Sequence, residues 1–253
     1  MPCTRSLSQA HRHRLTPAPL CGILLFIGWG MAALSNALRI TSAGPQTVHV
    51  AENDEVQIGC IYRLDSTDTG SLDIEWSIVS PDTTKQDRMI LTYVHEQVFD
   101  YPNPLLGRFE FSESDPSAGN ASVRIRALQT SDTNTFQCKV KKAPGIDTRK
   151  VTVRVHGRPQ DPECWMDRSG DRGQDVRLHC VSHSGSPPLT YSWDRISSNS
   201  QELPAHSIAD RVSGTLVIRN CSAQWDGTYR CSVRNLVGQA ECQLLISAAP
   251  AAG

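Results

Sequence analysis

Cysteine is the residue with the most informative chemistry in this chain, and the 253 residues contain nine of them. Cysteines form disulfides in an oxidising compartment, and as thiolates they bind metal ions or act as nucleophiles. Cys3 and Cys21 lie in an N-terminal segment that we expect to be removed, which leaves seven. We interpret these seven as a disulfide framework first and as metal ligands last, with one cysteine left over.

Other reactive chemistry is poorly supported by the residues present. The segment His179-Cys180-Val181-Ser182-His183 has the residue types of a zinc site, but Cys180 is needed for a disulfide and His179 should face away from it. No serine–histidine–aspartate order, glycine-rich phosphate loop or carboxylate pair stands in a strand context that would support catalysis. The sequence therefore predicts no enzyme, no metal site and no cofactor.

One pattern of residues occurs twice along the chain. Each copy has a cysteine, then a tryptophan 16 or 13 residues later, then a second cysteine with an aromatic residue two positions before it. The copies consist of Cys60, Trp76, Phe136 and Cys138, and of Cys180, Trp193, Tyr229 and Cys231. This is the signature of immunoglobulin domains, in which the two cysteines form a disulfide between two sheets and the tryptophan packs on it.

Apolar and polar residues alternate in the segments around these cysteines. In Leu72–Trp76, for example, Leu72, Ile74 and Trp76 share one face, as expected of a half-buried strand. The predicted fold class is all-β, with two tandem immunoglobulin-like β-sandwiches, V-type and then C2-type, after a signal peptide. We place the signal peptide at 1–37, the V-type domain at 38–155, a linker at 156–162, the C2-type domain at 163–247 and a short tail at 248–253.

The spacing of the cysteines separates the two domains by type. The 78 residues between the cysteines of the first copy leave room for the C′ and C″ strands of a V-type domain, and Met89–Tyr93 and Gln97–Tyr101 are the candidates. The 51 residues of the second copy do not leave that room. Arg108 and Asp132 also suit the ion pair that closes the bottom of V-type sandwiches.

The N-terminal segment has the composition of a secretory signal peptide. Three arginines and no acid precede an apolar run from Leu20 to Leu34, and small residues allow cleavage after Ala37. Its removal leaves 22 basic and 26 acidic residues, a net charge of −4, without the basic footprint of a nucleic-acid-binding protein. No later segment has the ~18 apolar residues of a membrane span. We therefore expect an extracellular protein, secreted as the sequence stands.

Domain one should present charged residues on one face of a sheet. Because Trp76 and Cys138 point inwards, their neighbours on strands C and F point outwards, and these are Asp73, Glu75, Gln137, Lys139 and Lys141. In a two-fold dimer the acids of one copy would meet the bases of the other. The alternative is that they are ordinary solvated cross-strand pairs. Candidate apolar anchors, of which at least two should belong to the core instead, are Leu91, Tyr93, Phe99 and Tyr101.

A more specific resemblance lies in three segments, Leu72-Asp-Ile-Glu-Trp76, Cys138-Lys-Val-Lys-Lys-Ala-Pro-Gly145 and Gly227-Thr-Tyr-Arg-Cys-Ser-Val-Arg-Asn-Leu-Val-Gly238. They resemble the coxsackievirus and adenovirus receptor and its relatives, and the similarity runs from Leu38 to Ile246. The resemblance implies a junctional adhesion molecule that pairs with itself, or with related junctional immunoglobulin receptors, through the G-F-C-C′ face of domain one. In the namesake an adenovirus fibre uses the same face, which makes that fibre a further candidate partner.

The resemblance also implies a second disulfide in domain two, since family members carry one from strand A to strand G. Cys164 and Cys242 occupy the matching positions. Cys221 is then the leftover cysteine. We favour a buried thiol, because Leu216 and Ile218 are the inward residues of strand E and Cys221 follows them in register. The rival interpretation is an intermolecular disulfide.

Two sequons, Asn120-Ala-Ser122 and Asn220-Cys-Ser222, predict N-glycosylation. Asn120 is the better candidate, because it lies in a turn rich in glycine and serine.

Two functions fit these features. The first is an extracellular immunoglobulin-superfamily adhesion protein that binds itself or related receptors. The second is a soluble secreted ligand or decoy of such a receptor, without an adhesive role of its own. Family members are type I plasma-membrane proteins at cell junctions, so a membrane span encoded after Ala249 would favour the first function.

Overall fold

The computed structural model describes residues 37–167, 175–196 and 202–247. The predicted signal peptide, apart from Ala37, and the predicted tail lie outside the described residues. Besides strands, the described ranges contain short 3-10 turns at Pro116–Ala118, Thr130–Asp132 and Ala223–Trp225. None of the helical segments in these ranges has the length and hydrophobicity needed to cross a membrane.

Domain one consists of the strands β1 (Arg39–Ile40), β2 (Thr47–Ala51), β3 (Val56–Ile58), β4 (Tyr62–Arg63), β5 (Leu72–Ile78), β6 (Arg88–Val94), β7 (Gln97–Asp100), β8 (Phe109–Phe111), β9 (Val123–Ile125), β10 (Asn134–Lys142) and β11 (Gly145–His156). One layer is a six-stranded sheet in the order β2-β11-β10-β5-β6-β7. The other layer contains β3-β9-β8 and the pair β1-β4. This is a V-type sandwich, in which β6 and β7 are the predicted C′ and C″ strands.

The core of domain one lies between these two layers, where the inward faces of the strands meet. The Cys60–Cys138 disulfide crosses the core. Trp76 packs edge-on against Phe109, with ring centroids 5.9 Å apart, and its indole N–H donates to the carbonyl oxygen of Ala121 at 2.8 Å. The tryptophan therefore buries its large apolar surface without leaving its N–H unsatisfied.

An ion pair closes the bottom of domain one, as predicted. The Arg108 guanidinium donates from Nη1 and Nη2 to the two carboxylate oxygens of Asp132, at 2.7 and 3.1 Å. Asp132 is buried, and its Oδ2 also accepts the backbone N–H of Gln129. The hydrogen bond to Asp132 raises the pKa of Arg108 above its ordinary value. Such two-pronged pairs are among the stronger polar contacts in proteins.

Domain two consists of the strands β12 (Glu163–Asp167), β13 (Val176–Val181), β14 (Thr190–Ile196), β15 (Ser207–Asp210), β16 (Thr215–Ile218), β17 (Gly227–Arg234) and β18 (Gln239–Ile246). They form one sheet in the order β12-β13-β16-β15 and another in the order β14-β17-β18. This is the A-B-E-D and C-F-G arrangement of a constant-type domain. The Tyr229 hydroxyl donates to the carbonyl oxygen of Trp225 at 3.0 Å, which forms the tyrosine corner.

Three disulfides hold the described residues, Cys60–Cys138, Cys164–Cys242 and Cys180–Cys231. In domain two Cys164 stands opposite Cys180, and Cys231 stands opposite Cys242, so the two bridges lie side by side. Cys180 Sγ and Cys242 Sγ approach to 3.8 Å. This sulfur cluster is not a metal site, because each sulfur is already bonded to its disulfide partner.

Cys221 is a free, half-buried cysteine. The position of Cys221 was predicted from Leu216 and Ile218 as inward residues of strand E, and both are fully buried. Burial, and then the negative charge of Asp226, raise the pKa of the Cys221 thiol, so the thiolate is a minor species at neutral pH.

Hydrogen bonds from side chains of domain two fix the linker, in addition to the stiffness that its own prolines provide. Asn235 Nδ2 donates to the carbonyl oxygens of Gly157 and Ser186, at 2.8 and 3.0 Å. The Gly157 N–H donates in turn to Ser186 Oγ at 2.9 Å. The next residue, Arg158, donates to Asp54 Oδ2 of domain one at 2.7 Å. Hydrogen bonds therefore fix the linker at its first residues.

Two histidines stack where β2 runs beside β11. The ring centroids of His49 and His156 lie 5.1 Å apart, and His49 Nδ1 lies 2.9 Å from His156 Nε2. Burial lowers the pKa of His156, and the positive charges of His49 and Arg154 lower it further. The folded state therefore binds a proton at His156 less readily than the unfolded chain does.

Domain one should therefore lose stability as the pH falls below the ordinary histidine pKa of about 6.5, because protons then favour the unfolded chain. We expect the melting temperature of His156→Gln to fall less than that of the wild type between pH 7.5 and pH 5.5. The control variant His206→Gln, which changes an exposed histidine of domain two, should show the wild-type pH dependence. Identical pH dependence in all three proteins would contradict a role for His156.

Candidate functional site

The predicted binding face is the outer surface of the six-stranded sheet of domain one. Strand β10 pairs with β5 so that Lys139 stands opposite Glu75 and Lys141 opposite Asp73. The flanking strands β11 and β6 add Thr148 opposite Lys139 and Thr92 opposite Glu75. We use the term G-F-C-C′ face for the outward residues of these four strands, Asp73, Glu75, Thr92, Val94, Gln137, Lys139, Lys141, Ile146, Thr148 and Lys150.

The charges of this face are paired within one chain. Lys139 Nζ lies 3.5 Å from Glu75 Oε2, and Lys141 Nζ donates to Glu75 Oε1. The three side chains are one fifth to one third exposed, at 20%, 32% and 35% for Glu75, Lys139 and Lys141. The acidic and basic columns thus lie side by side, as predicted. They form the cross-strand pairs of the alternative interpretation, so the charges of an isolated chain are already partly satisfied.

Asp73 takes no part in these ion pairs. Its carboxylate is half-buried, and its Oδ1 accepts no hydrogen bond from the part of the chain that the structure describes. A buried carboxylate oxygen without a donor is costly unless another group reaches it. Asp73 Oδ1 is itself enclosed, so a donor on a partner could reach it only after the side chain rotates.

Leu91 and Tyr93 do not belong to the face, and this part of the prediction is wrong. Leu91 stands opposite Trp76 and Tyr93 opposite Ile74, so both share the inward side of their partners. Their side chains are 2% and 8% exposed. Opposite residues in an antiparallel pair always point to the same side of a sheet, so the register of β6 on β5 decides the question.

Phe99 and Tyr101, the other two candidate anchors, are exposed at 47% and 39%. Phe99 lies opposite Thr92 and thus on the outer side of the sheet, at its β7 edge. Ile146 is a further apolar residue of the face, which the sequence analysis missed. It stands opposite Lys141 and is 59% exposed. Ile146 could have been identified from the sequence, since the segment Gly145–Lys150 follows β10 after a turn and pairs with it. Its residues opposite Lys141 and Lys139 must therefore point outwards as well.

Both predicted glycosylation sites lie away from this face. Asn120 is half-buried, forms a bridge with Ile61 and precedes β9 in the opposite layer. Its Oδ1 accepts the backbone N–H of Ser122 at 3.1 Å, and its Nδ2 lies 3.4 Å from Glu113 Oε1. Asn220 is exposed and follows β16 in domain two. A glycan at either position would leave the G-F-C-C′ face uncovered.

Comparisons with known proteins agree with this two-domain architecture. The immunoglobulin V-set domain family matches residues 43–156, and an immunoglobulin domain family matches residues 152–235. Murine CEACAM1b has the same fold, with a TM-score of 0.57 and 18% identity over 79% of this chain and 94% of that chain. The chain is thus an immunoglobulin-superfamily protein with a V-set domain followed by a constant-type domain, a class of receptors and adhesion proteins rather than of enzymes.

Relatives narrow the class further. The coxsackievirus and adenovirus receptor homolog of Danio rerio is 40% identical over 206 residues, 81% of this chain and 55% of the relative. V-set and immunoglobulin domain-containing protein 8 of Mus musculus is 38% identical over 83% of this chain and 56% of the relative. The chain belongs to the family of the coxsackievirus and adenovirus receptor. It spans about half the length of the curated relatives that it matches.

Proposed function

We propose that this protein is an extracellular adhesion receptor that binds a second copy of itself, or a related junctional immunoglobulin receptor, through the G-F-C-C′ face. The observation that carries the proposal is the cluster of Glu75, Lys139 and Lys141 at the centre of an open sheet face. All three side chains point to the outer side of the sheet and keep one fifth to about one third of their surface exposed.

Charge balance supports self-association of this face. Asp73 and Glu75 offset the charges of Lys139 and Lys141, so two copies of the four-residue cluster do not repel each other as a whole. A two-fold axis through the cluster brings each lysine pair towards the acids of the other copy. Lys141 and Lys139 then exchange part of their contact with Glu75 for the carboxylates of the partner.

Ile146 contributes apolar surface beside this cluster. The side chain is more than half exposed and stands next to Lys141 across β10 and β11. Burying it against a partner stabilises the complex, whereas exposed charge pairs contribute mainly to orientation and partner choice. A face with one large apolar residue and a balanced charge cluster favours weak binding, which many copies on apposed cells would strengthen.

The proposal predicts that charge reversal on β10 abolishes self-association. The variant Lys139→Glu with Lys141→Glu places four acidic side chains in the cluster, and like charges at such distances cost several kcal/mol across an interface. We expect the dimer to dissociate at least about tenfold more readily in sedimentation equilibrium. Adding Asp73→Lys with Glu75→Lys should recover part of the association, because it restores the balance of charge.

A matched control changes the same amount of charge on the opposite layer. Arg124→Glu with Arg126→Glu also sets two new acids beside an existing one, Glu110 of β8, but on β9 and the residue after it. This variant should dimerise like the wild type. Raising the salt should weaken wild-type association, because charges at the rim are screened over ~8–10 Å. Equal dimerisation of both double variants would show that the G-F-C-C′ face is not the interface.

Recognition of an adenovirus fibre belongs to this proposal only through the family. The zebrafish relative bears the name of a coxsackievirus and adenovirus receptor homolog. A fibre that bound this chain on the G-F-C-C′ face would compete with self-association, and the Lys139/Lys141 variant would weaken both.

A further inference from the structure

Strand β7 is an open edge of the six-stranded sheet. It pairs with β6 on one side and has no neighbour on the other within the described chain. All four residues of Gln97–Asp100 are exposed, including Val98 and Phe99 at 48% and 47%. Proteins normally guard such edges with lysine, proline or a bulge. This strand contains neither residue, and its pairing with β6 runs without a bulge.

The turn that precedes β7 decides which backbone groups face the open edge. His95 and Glu96 form a two-residue turn in which both φ angles are positive, at 51° and 61°, as in a type I′ hairpin. Val94 and Gln97 then close the hairpin as a hydrogen-bonded pair, and the pattern alternates along the ladder. The N–H of Tyr101 donates to the carbonyl oxygen of Ile90, which agrees with this alternation.

The N–H and C=O groups of Val98 and Asp100 therefore point away from β6, towards solvent. An added strand could accept and donate hydrogen bonds at these two residues without disturbing the sheet. The side chain of Phe99, between them, points to the outer side of the sheet, as shown by its position opposite Thr92. The edge of β7 therefore offers both the backbone groups of Val98 and Asp100 and the apolar side chain of Phe99 to an added strand.

We propose that β7 pairs antiparallel with β7 of a second copy of this chain, so that the sheets of two V-type domains join edge to edge. A two-fold axis requires each residue to stand opposite one with the same backbone orientation. Within the strand, registers centred on Gln97, Val98, Phe99 or Asp100 meet this condition. Centring on Gln97 pairs Val98 with the partner's Glu96, a turn residue with positive φ that cannot continue the ladder, which leaves three registers. The charges and the neighbouring proline distinguish the three.

The register centred on Phe99 is the one without a conflict. It places Val98 opposite the partner's Asp100, which allows four backbone hydrogen bonds, and it places Gln97 opposite the partner's Tyr101. The two copies of Phe99 then lie side by side as a non-hydrogen-bonded pair, the closer kind of cross-strand pair, which favours aromatic contact.

The other two registers bring like charges together. Centring on Val98 places Glu96 opposite the partner's Asp100, and directly opposed like charges destabilise a strand pair. Centring on Asp100 sets two aspartates face to face and places Val98 opposite the partner's Pro102, which has no N–H to donate. The sequence of this edge therefore favours one self-complementary register, which is the argument for a second copy rather than for an unrelated strand.

This contact goes beyond the proposed function, because it uses the edge of the sheet and not the centre of its face. The lysines of the G-F-C-C′ face lie on β10, and β5 and β6 separate them from β7. A molecule joined to a neighbour at β7 therefore keeps Glu75, Lys139 and Lys141 open for another partner. Edge pairing would link copies side by side, while the face binds opposing copies.

The test is a cysteine crosslink that reads the register. In the whole mature chain with Cys221→Ser, which removes the free thiol, we expect Phe99→Cys to form a covalent dimer under mild oxidation. Opposite residues of a non-hydrogen-bonded pair have Cα atoms about 4.5 Å apart, within the range that a disulfide spans. Non-reducing electrophoresis should show most of this variant at twice the monomer mass.

Gln97→Cys in the same background is the matched control, because it places an exposed cysteine two residues away on the same side of the same strand. Its two copies would lie roughly 13 Å apart in this register, too far for a disulfide. Equal crosslinking of both variants, or of neither, would overturn the proposal. Phe99→Cys would also remain monomeric if the edge binds an extended segment of another protein. That outcome counts against pairing with a second copy of this chain.

Two further variants separate this edge contact from the face contact. Adding Val98→Glu should suppress the Phe99→Cys crosslink, because in this register it sets a glutamate opposite the partner's Asp100, and directly opposed like charges destabilise a strand pair. Adding Lys139→Glu with Lys141→Glu should leave the crosslink in place. Loss of the crosslink in the Lys139/Lys141 background would mean that face-to-face dimers bring the cysteines together, and would overturn edge pairing while supporting the face.

Discussion

Gly214→Ala should unfold domain two at temperatures at which domain one remains folded. Gly214 has a φ of +73°, which costs an L-residue roughly 1–2 kcal/mol. An added Cβ would also overlap the carbonyl oxygen of Cys180, a backbone atom that cannot move aside. The Gly214 carbonyl oxygen accepts the indole N–H of Trp193 at 3.0 Å, so any shift of the backbone disturbs the core tryptophan as well. We expect a loss of about 4 kcal/mol or more.

Gly107→Ala is the matched control for backbone strain alone. Gly107 has a similar φ of +79°, but no atom lies within 4 Å of the position of its added Cβ. This variant should lose only about 1 kcal/mol in denaturant titrations of the whole mature chain. If the two variants lose the same stability, steric overlap at Cys180 contributes nothing and the explanation is wrong.

Arg108→Ala should destabilise domain one by about 3–5 kcal/mol. Asp132 is only 3% exposed, and its carboxylate loses both guanidinium hydrogen bonds in this variant. Since the buried charge then keeps one backbone donor, the N–H of Gln129, the cost of its burial is largely uncompensated. Urea titration with tryptophan fluorescence as the signal measures the change in the free energy of unfolding.

Arg126→Ala provides the comparison at the surface. Arg126 donates to Glu110 at the same distance of 2.7 Å, but the two side chains are 50% and 45% exposed. Exposed pairs contribute ~0–1 kcal/mol, so this variant should remain close to the wild type. Asp132→Asn should restore part of the stability lost in Arg108→Ala, because it removes the orphaned charge. Equal losses for the Arg108 and Arg126 variants would contradict the burial argument.

Local patterns in the chain were sufficient for the fold and for the two disulfides that cross the sandwiches. Strand alternation around Trp76 and the cysteine–tryptophan–cysteine pattern that occurs twice predict both sandwiches, and the C′ and C″ strands lie within one residue of their predicted bounds. Each of these features depends on residues near one another in sequence, or on a pairing that a single strong signature specifies. The Cys164–Cys242 bridge was expected only from family resemblance, since spacing alone does not select a pairing.

The composition of the proposed binding face was predicted in part. Asp73, Glu75, Lys139 and Lys141 follow from the inward position of Trp76 and Cys138 on their own strands. Leu91 and Tyr93 were misplaced, because their side depends on the register of a separate strand that has no cysteine or tryptophan to mark it. A shift of one residue exchanges the two sides of a strand, and such a shift cannot be read from an apolar run such as Met89–Tyr93.

The sequence by itself determined the class of this protein, because disulfide spacing and period-two alternation are properties of the chain. Only the tertiary structure decided how charges and edges are used. It paired Glu75 with two lysines of its own chain, buried Asp132 beneath Arg108, and left β7 without a neighbour. These outcomes depend on which strands lie side by side and in which register, and that is set by packing of the whole domain rather than by any local pattern.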